Sequence, residues 1–246
     1  LLKEGVPENN IRFTGNIMID TLEANREKAS RLSIENIIQN HLIPEQSLSL
    51  SVTQSLSPLV SPSLNRSIAS SLPRSFVLMT LHRPSNVDDP TIFTNIINLL
   101  TEELSKEIPI LWPIHPRSEK QLKNFGLWDQ VLQCENLILL HPIGYHEMLR
   151  MNMDARIMLT DSGGLQEECT VLGTPCLTMR WNTERPITLR EHGGASVLVG
   201  NNIEKIREEF FGTLHQVRKP ERPELWDGKT AGRCLEAILE YEEVTR

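Results

Sequence analysis

From Ser75 to the C-terminus the chain alternates short runs that are apolar at every position with longer stretches whose apolar residues return every three to four positions. The first pattern predicts strands buried on both faces, and the second predicts amphipathic helices. Strands are predicted at 76–81, 108–114, 137–140, 157–160, 176–179 and 196–199. The helices between them carry start and stop signals. Asp89-Pro90 opens one that runs through Leu100, Gly126 ends one that begins at Arg117, and Gly173 with Pro175 ends the one after the fourth strand. Further helices are predicted at 145–153, 203–215 and 230–243. The alternation as a whole predicts an α/β fold, a Rossmann-like parallel sheet with helices on both faces.

The leader differs. Ile11 to Thr14 reads as strand-like, Gly15-Asn16 as a turn and 17–39 as one amphipathic helix, too little to fold alone. Between Ser47 and Ser75 lie eleven serines with Pro58, Pro62 and Pro73, a composition that favours loop over packed structure. The expected organisation is therefore a leader at 1–45, a Ser/Pro-rich low-complexity insertion at 46–74, and the main domain at 75–246.

Composition narrows the function classes. The chain has 246 residues, with 25 basic and 32 acidic side chains, a net charge of −7 and a pI near 5.6, without a Lys/Arg stripe. That argues against nucleic-acid binding, which depends on clustered cations. A small anion stays possible, because backbone amides hold phosphate without net positive charge. No apolar run approaches the ~20 residues of a membrane span. Cys134, Cys169, Cys176 and Cys234 lack CxxC spacing and read as reduced, mostly buried thiols of a cytoplasmic protein, without a metal site. No signal peptide is seen, and the chain opens on Leu1-Leu2-Lys3 in mid-flow, the start expected of the back part of a longer protein.

Candidate chemistry gathers at the carboxyl ends of the predicted strands, where open α/β sheets bind ligands. His82-Arg83, His115-Pro116, His141-Pro142, Asp161 to Gly164 and Arg180 to Arg185 occupy five successive ends. The run Thr160-Asp161-Ser162-Gly163-Gly164-Leu165-Gln166-Glu167-Glu168 is the sharpest signal. A strand enters a Ser-Gly-Gly turn that opens a helix, so unpaired amides and the positive helix end meet at one point, as in a phosphate cradle. The same turn also serves as a plain Ser N-cap, and spacing alone does not separate the two. It is neither GxGxxG nor a P-loop, which removes support for hydride transfer and nucleotide hydrolysis. Leu165, Cys169 and Leu172 mark the buried stripe of that helix, which puts Glu168 beside it, in reach of neighbouring sugar hydroxyls. Arg180 and Arg185 form a possible phosphate fork or an ordinary solvated loop. Trp112, Trp128, Trp181 and Trp226 follow no stacking interval and read as packing residues.

His82 to Asp89, Pro113 to Arg117, Thr160 to Glu168, Asn182 to Pro186 and Val197 to Gly200 together resemble the non-hydrolysing UDP-N-acetylglucosamine 2-epimerases. Trp226 to Ala231 resembles the family's turn before its last helix, and Gly5-Val6-Pro7 with Thr14-Gly15-Asn16 the segment closing its first domain. The resemblance implies the C-terminal half of a glycosyltransferase-B-like two-domain architecture, with 1–45 as the end of the first domain and a hinge helix. It implies elimination of UDP from UDP-N-acetylglucosamine and re-addition with C2 inverted, without cofactor or metal. A full-length member would form a homodimer and supply polysaccharide biosynthesis. By position, His82 falls on the family's active-site histidine, Ser162, Gly163 and Gly164 on the diphosphate cradle, Glu168 on the ribose carboxylate, and His115 and Arg185 on the cleft lining. The family's acid–base carboxylates belong to its first domain, so this chain alone is expected to bind UDP weakly and turn over poorly or not at all. Ser85, where many members carry Glu, and the Ser-rich insertion depart from the family pattern. The alternatives are a hydrolysing epimerase, another UDP-sugar enzyme of that architecture, or a non-catalytic nucleotide-sugar sensor.

Overall fold

The structure is a computed structural model that describes residues 1–46 and 75–245; the Ser/Pro-rich stretch from 47 onward lies outside the described residues. Six short strands form one parallel sheet: β1 Val77–Thr80, β2 Ile110–Pro113, β3 Leu137–Leu140, β4 Ile157–Thr160, β5 Cys176–Thr178 and β6 Ser196–Leu198. Their order across the sheet is β3-β2-β1-β4-β5-β6. The order in which strands are added therefore reverses between β1 and β4, which pair in parallel from Val77–Ile157 to Thr80–Thr160. At such a switch point the connections diverge and leave a crevice beyond the strand ends.

Successive side chains of a strand point to opposite faces. Val77, Met79, Ile110, Trp112, Leu137, Leu139, Ile157 and Leu159 join one buried cluster, and Leu78, Leu111, Ile138, Leu140 and Met158 join another. Helices seal both. In chain order they are α1 Ile17–Ser30, α2 Ile34–His41, α3 Pro84–Val87, α4 Pro90–Leu99, α5 Pro116–Asn124, α6 Trp128–Gln133, α7 Tyr145–Asp154, α8 Gly163–Leu172, α9 Ile203–Thr213 and α10 Thr230–Thr245. Phe93, Ile96 and Ile97 of α4 with Ile206 and Phe210 of α9 cover the first face, and Ile37 and Ile38 of α2, Met151 of α7 and Cys169 of α8 the second. A third cluster sets Ile19 and Leu22 of α1 against Leu149, Val171, Leu172 and Trp226.

The leader departs from expectation in two places. The single helix expected at 17–39 is two, because Ser33 accepts Asn36 N–H with its hydroxyl and starts a new helix. Ile11 to Thr14 forms no strand; the Thr14 carbonyl accepts the Arg233 side chain of α10 at 2.7 Å instead of a ladder N–H. The leader's end instead lies along β3: Leu42 bridges Leu140, Ile43 N–H donates to Leu139 O, and the Gln46 amide donates to Leu137 O at 2.6 Å and accepts from Leu139 N–H at 2.7 Å. Residue 46, expected to open the insertion, is thus a packed residue. The short helices α3 and α6, a π-helical turn at Leu100–Leu104 and one helical turn at Ser105–Glu107 add to the expected elements. No helix among the described residues is long and apolar enough to cross a membrane.

Candidate functional site

The crevice at the switch point is built from the loop after β1 and the loop after β4. Asp161 closes β4 with no exposed surface, and its Oδ2 accepts His82 N–H at 2.9 Å, Arg83 N–H at 2.7 Å and Asn86 Nδ2 at 3.1 Å. Its Oδ1 lies 3.0 Å from His82 Nδ1. One buried carboxylate therefore fixes both backbone and ring of His82. Burial pushes the Asp161 carboxyl up, but His82 and the backbone N–H donors outweigh it and leave it below the usual carboxylate range. In return the bond from Asp161 raises His82 above its ordinary value, against partial burial.

His115 stands beside it, with ring centroids 5.2 Å apart. Its Nδ1 accepts Arg117 N–H at the start of α5, so in the neutral ring the proton sits on Nε2. Burial and the neighbouring His82 hold it below its ordinary value. The two rings are shifted in opposite directions: His82 binds a proton more readily than an ordinary histidine, and His115 less readily.

The Ser162–Gly164 turn opens α8 as expected. Ser162 makes no capping bond with its side chain, and its own N–H goes to Thr160 Oγ1 at 3.0 Å. Over the glycines lie two guanidinium groups. A Cβ on Gly163 would come within 2.5 Å of Arg185 Nη1 and 3.5 Å of Arg180 Nη1, so only glycine admits this approach. The Arg180 side chain is 9% exposed; its Nη2 pairs with Glu184 at 2.6 Å, while its Nη1 is buried without a partner. Two cations beside the positive end of a helix repel one another unless an anion joins them, and the exposed Glu184 carboxylate does so here, with Oε1 3.3 Å from Arg185 Nη1.

Glu168 lies deeper than the stripe pattern indicated, at 4% exposure, because α8 is covered on nearly every side, including by α1. Burial raises its carboxyl to about 7, with Tyr145 and Asn152 partly opposing and Glu167 adding to the rise. Its Oε2 is buried and unpartnered. Burial and Glu168 together raise the Tyr145 phenol.

The structure thus gathers His82 and His115 around Asp161, and Arg185 with Ser162, Gly163 and Gly164 around the start of α8, which Asp161 and Ser162 join directly. Glu168 opens the following turn of that helix. His141 is exposed, and its N–H pairs with His41 O on the leader side of the sheet. Sequence reasoning passed over Asp161 as a partner of His82, Tyr145 beside Glu168, and Asn16, which donates to Glu167 Oε1 at 2.9 Å. Only Asp161 had a local signal, as an acid at a strand end. Trp181, read as a packing residue, is 66% exposed beside Arg180. All four cysteines are free, with Cys169 and Cys176 buried. Among the described residues no cluster of His, Cys, Asp or Glu has the arrangement of a metal site.

Comparison with known proteins bears on this geometry. The profile of a family described as UDP-N-acetylglucosamine 2-epimerase matches residues 1–239. A UDP-N-acetylglucosamine 2-epimerase of Methanocaldococcus jannaschii is 32% identical over 242 residues, 98% of this chain and 57% of the relative. A crystal structure of the M. jannaschii UDP-GlcNAc 2-epimerase in complex with UDP-GlcNAc and UDP superposes with a TM-score of 0.75 at 33% identity, covering 98% of this chain and 57% of that one. A UDP-2,3-diacetamido-2,3-dideoxy-D-glucuronate 2-epimerase of Pseudomonas aeruginosa is 34% identical over 165 residues, 66% of this chain and 44% of the relative. The chain spans about half the length of the curated relatives it matches, 57% in the M. jannaschii case.

Proposed function

Because the chain belongs to the UDP-N-acetylglucosamine 2-epimerase family, we propose that it forms the uridine-diphosphate-binding half of an enzyme interconverting UDP-N-acetylglucosamine and UDP-N-acetylmannosamine. The observation that carries this is the convergence of Arg180 and Arg185 on the Gly163 end of α8, with a buried guanidinium nitrogen left unpaired. A diphosphate accepts the open amides of the turn and the unpaired Arg180 Nη1, and takes the place of the exposed Glu184 carboxylate between the two guanidinium groups.

In this reading the glycosidic C1–O bond breaks with loss of the C2 proton, which yields the unsaturated sugar and UDP. Negative charge grows on the departing diphosphate, and a preformed cation there lowers the barrier. His82, whose affinity for a proton Asp161 raises, supplies that charge in its protonated form, and His115 offers an Nε2–H beside it. Glu168, with Oε2 open, accepts the ribose hydroxyls. The acid–base exchange at C2 needs positioned carboxylates, which we assign to the part of the relatives' length that this chain does not span. We read 1–45 as the end of that other unit with its hinge helix, and the complete enzyme as a cytoplasmic homodimer.

Thermal unfolding of the chain with and without UDP tests the proposal. Saturation at 100 times Kd adds about 2.7 kcal/mol of stability. No shift at millimolar UDP removes the diphosphate reading. For the complete enzyme, product that retains UDP separates epimerisation from hydrolysis. The P. aeruginosa relative makes the UDP-diacetamido-uronate the second substrate to assay.

A further inference from the structure

One buried carboxylate at the rim has no part in this scheme. Glu167 precedes Glu168 on α8 and is 7% exposed. Its Oε1 receives two donors of different origin: Asn16 Nδ2 from the leader at 2.9 Å, and Arg185 Nε from the loop after β5 at 3.1 Å. Its Oε2 is buried without a partner. Anchoring a planar guanidinium through Nε fixes its plane, and the Arg185 Nη1 so placed also lies 3.3 Å from Glu184 Oε1. Here that plane carries Nη1 over Gly163.

Asn16 has a second contact. Its Oδ1 accepts Met18 N–H at 2.9 Å and so caps α1. The turn before it is wedged in place: Gly15 has φ of +111°, and a Cβ there would strike the Leu225 carbonyl and the Thr230 hydroxyl. Asp20, one turn on, accepts Thr230 N–H at 3.0 Å and Ala231 N–H at 2.8 Å at the start of α10. One amide side chain therefore joins the anchored start of the leader helix to the arginine at the anion site.

We propose that Glu167 is a positioning residue that orients Arg185 over the Gly163 end of α8 and, through Asn16, couples that orientation to the seating of the leader. The inference rests on reading this end of α8 as a diphosphate site. Coupling of this kind is reciprocal: a seated leader strengthens the grip on the diphosphate, and a bound diphosphate steadies the leader by the same factor.

Substitution at Asn16 tests it with little risk to the core. Asn16→Ser keeps an oxygen for the cap but loses the amide donor, and Asn16→Asp keeps the cap while facing Glu167 with a second carboxylate. Calorimetry on the 246-residue chain compares UDP with uridine, and hydrogen exchange follows the amides of α1 with and without UDP. Asn16→Ser weakens UDP about fivefold and Asn16→Asp about tenfold or more, while uridine changes less than about twofold. UDP slows exchange across α1 in the wild type and does not in Asn16→Ser. Glu167→Ala weakens UDP about tenfold, and adding it to Arg185→Ala costs no more than Arg185→Ala alone. If Glu167→Ala does not fold, the two Asn16 variants decide alone. An unchanged UDP-to-uridine ratio in both, with α1 exchange still responding to UDP, overturns the coupling. A wild-type chain with no preference for UDP over uridine overturns the diphosphate reading itself, and this inference with it, so the two failures are told apart.

Discussion

Two carboxylates less than two helical turns apart, Asp161 and Glu168, are almost equally buried, yet they sit on opposite sides of the ordinary carboxylate range. Asp161 has three N–H donors and a histidine around it. Glu168 has only the Tyr145 and Asn152 side chains as donors, and an acidic neighbour in Glu167. Depth alone therefore does not determine the charge of a buried acid; the supply of donors does. A buried acid gathered in by backbone N–H groups and a histidine stays charged and holds the site in shape, and one with side-chain donors only and an acidic neighbour is pushed toward its neutral form.

Removing each acid sharpens the contrast. Asp161→Ala leaves His82 and Arg83 N–H groups and the Asn86 amide without their acceptor, and urea denaturation should show a loss of about 3–5 kcal/mol. Glu168→Gln should do the reverse in its pH dependence. The folded carboxyl, at about 7, lies above the ordinary 4.5. The native state therefore holds more protons than the unfolded chain between those values, and wild-type stability falls as pH rises through that window, by roughly 3 kcal/mol at the end of it. In Glu168→Gln this fall disappears, and the neutral side chain unfolds later at pH 7 than the wild type. A Glu168→Gln profile that keeps the fall breaks the comparison.

His82 carries the next effect. Its pKa is raised, so the ion pair stabilises the fold fully below the unfolded value of 6.5, and the contribution is lost as pH rises through the folded value. Nitrogen NMR should find His82 titrating above 6.5 and His115 below it, with Asp161→Asn bringing His82 down. Ser162→Ala should have the smallest effect. An N-cap serine normally contributes ~1 kcal/mol, but this side chain makes no capping bond, so thermal unfolding should change by less than about 0.5 kcal/mol.

Much of this was legible because apolar runs and strand ends are local. The six strands, the turn at Ser162 and the stop at Gly173 follow from residues within a few positions of each other. What could not be read depended on distant partners. Asp161 meets the His82 loop across 79 positions and Asn16 meets Glu167 across 151, and neither contact leaves a spacing in the sequence. The depth of Glu168 escaped for the same reason: Leu165, Cys169 and Leu172 describe the face toward the sheet but not α1 packed on the other side. Trp181 is two-sided: its ring lies over Gly200, where a Cβ would come within 2.8 Å, while most of its surface stays exposed. In the leader, Ser33 was a cap in plain view, overridden by an apolar period that continued past it.

The primary amide of Gln46 imitates a peptide group, giving and taking at β3 what a seventh strand would. An outer strand with open N–H and C=O groups invites another chain to extend it. With Leu137 O and Leu139 N–H taken by that side chain and Leu139 O by Ile43 N–H, this margin offers fewer open groups to a further strand.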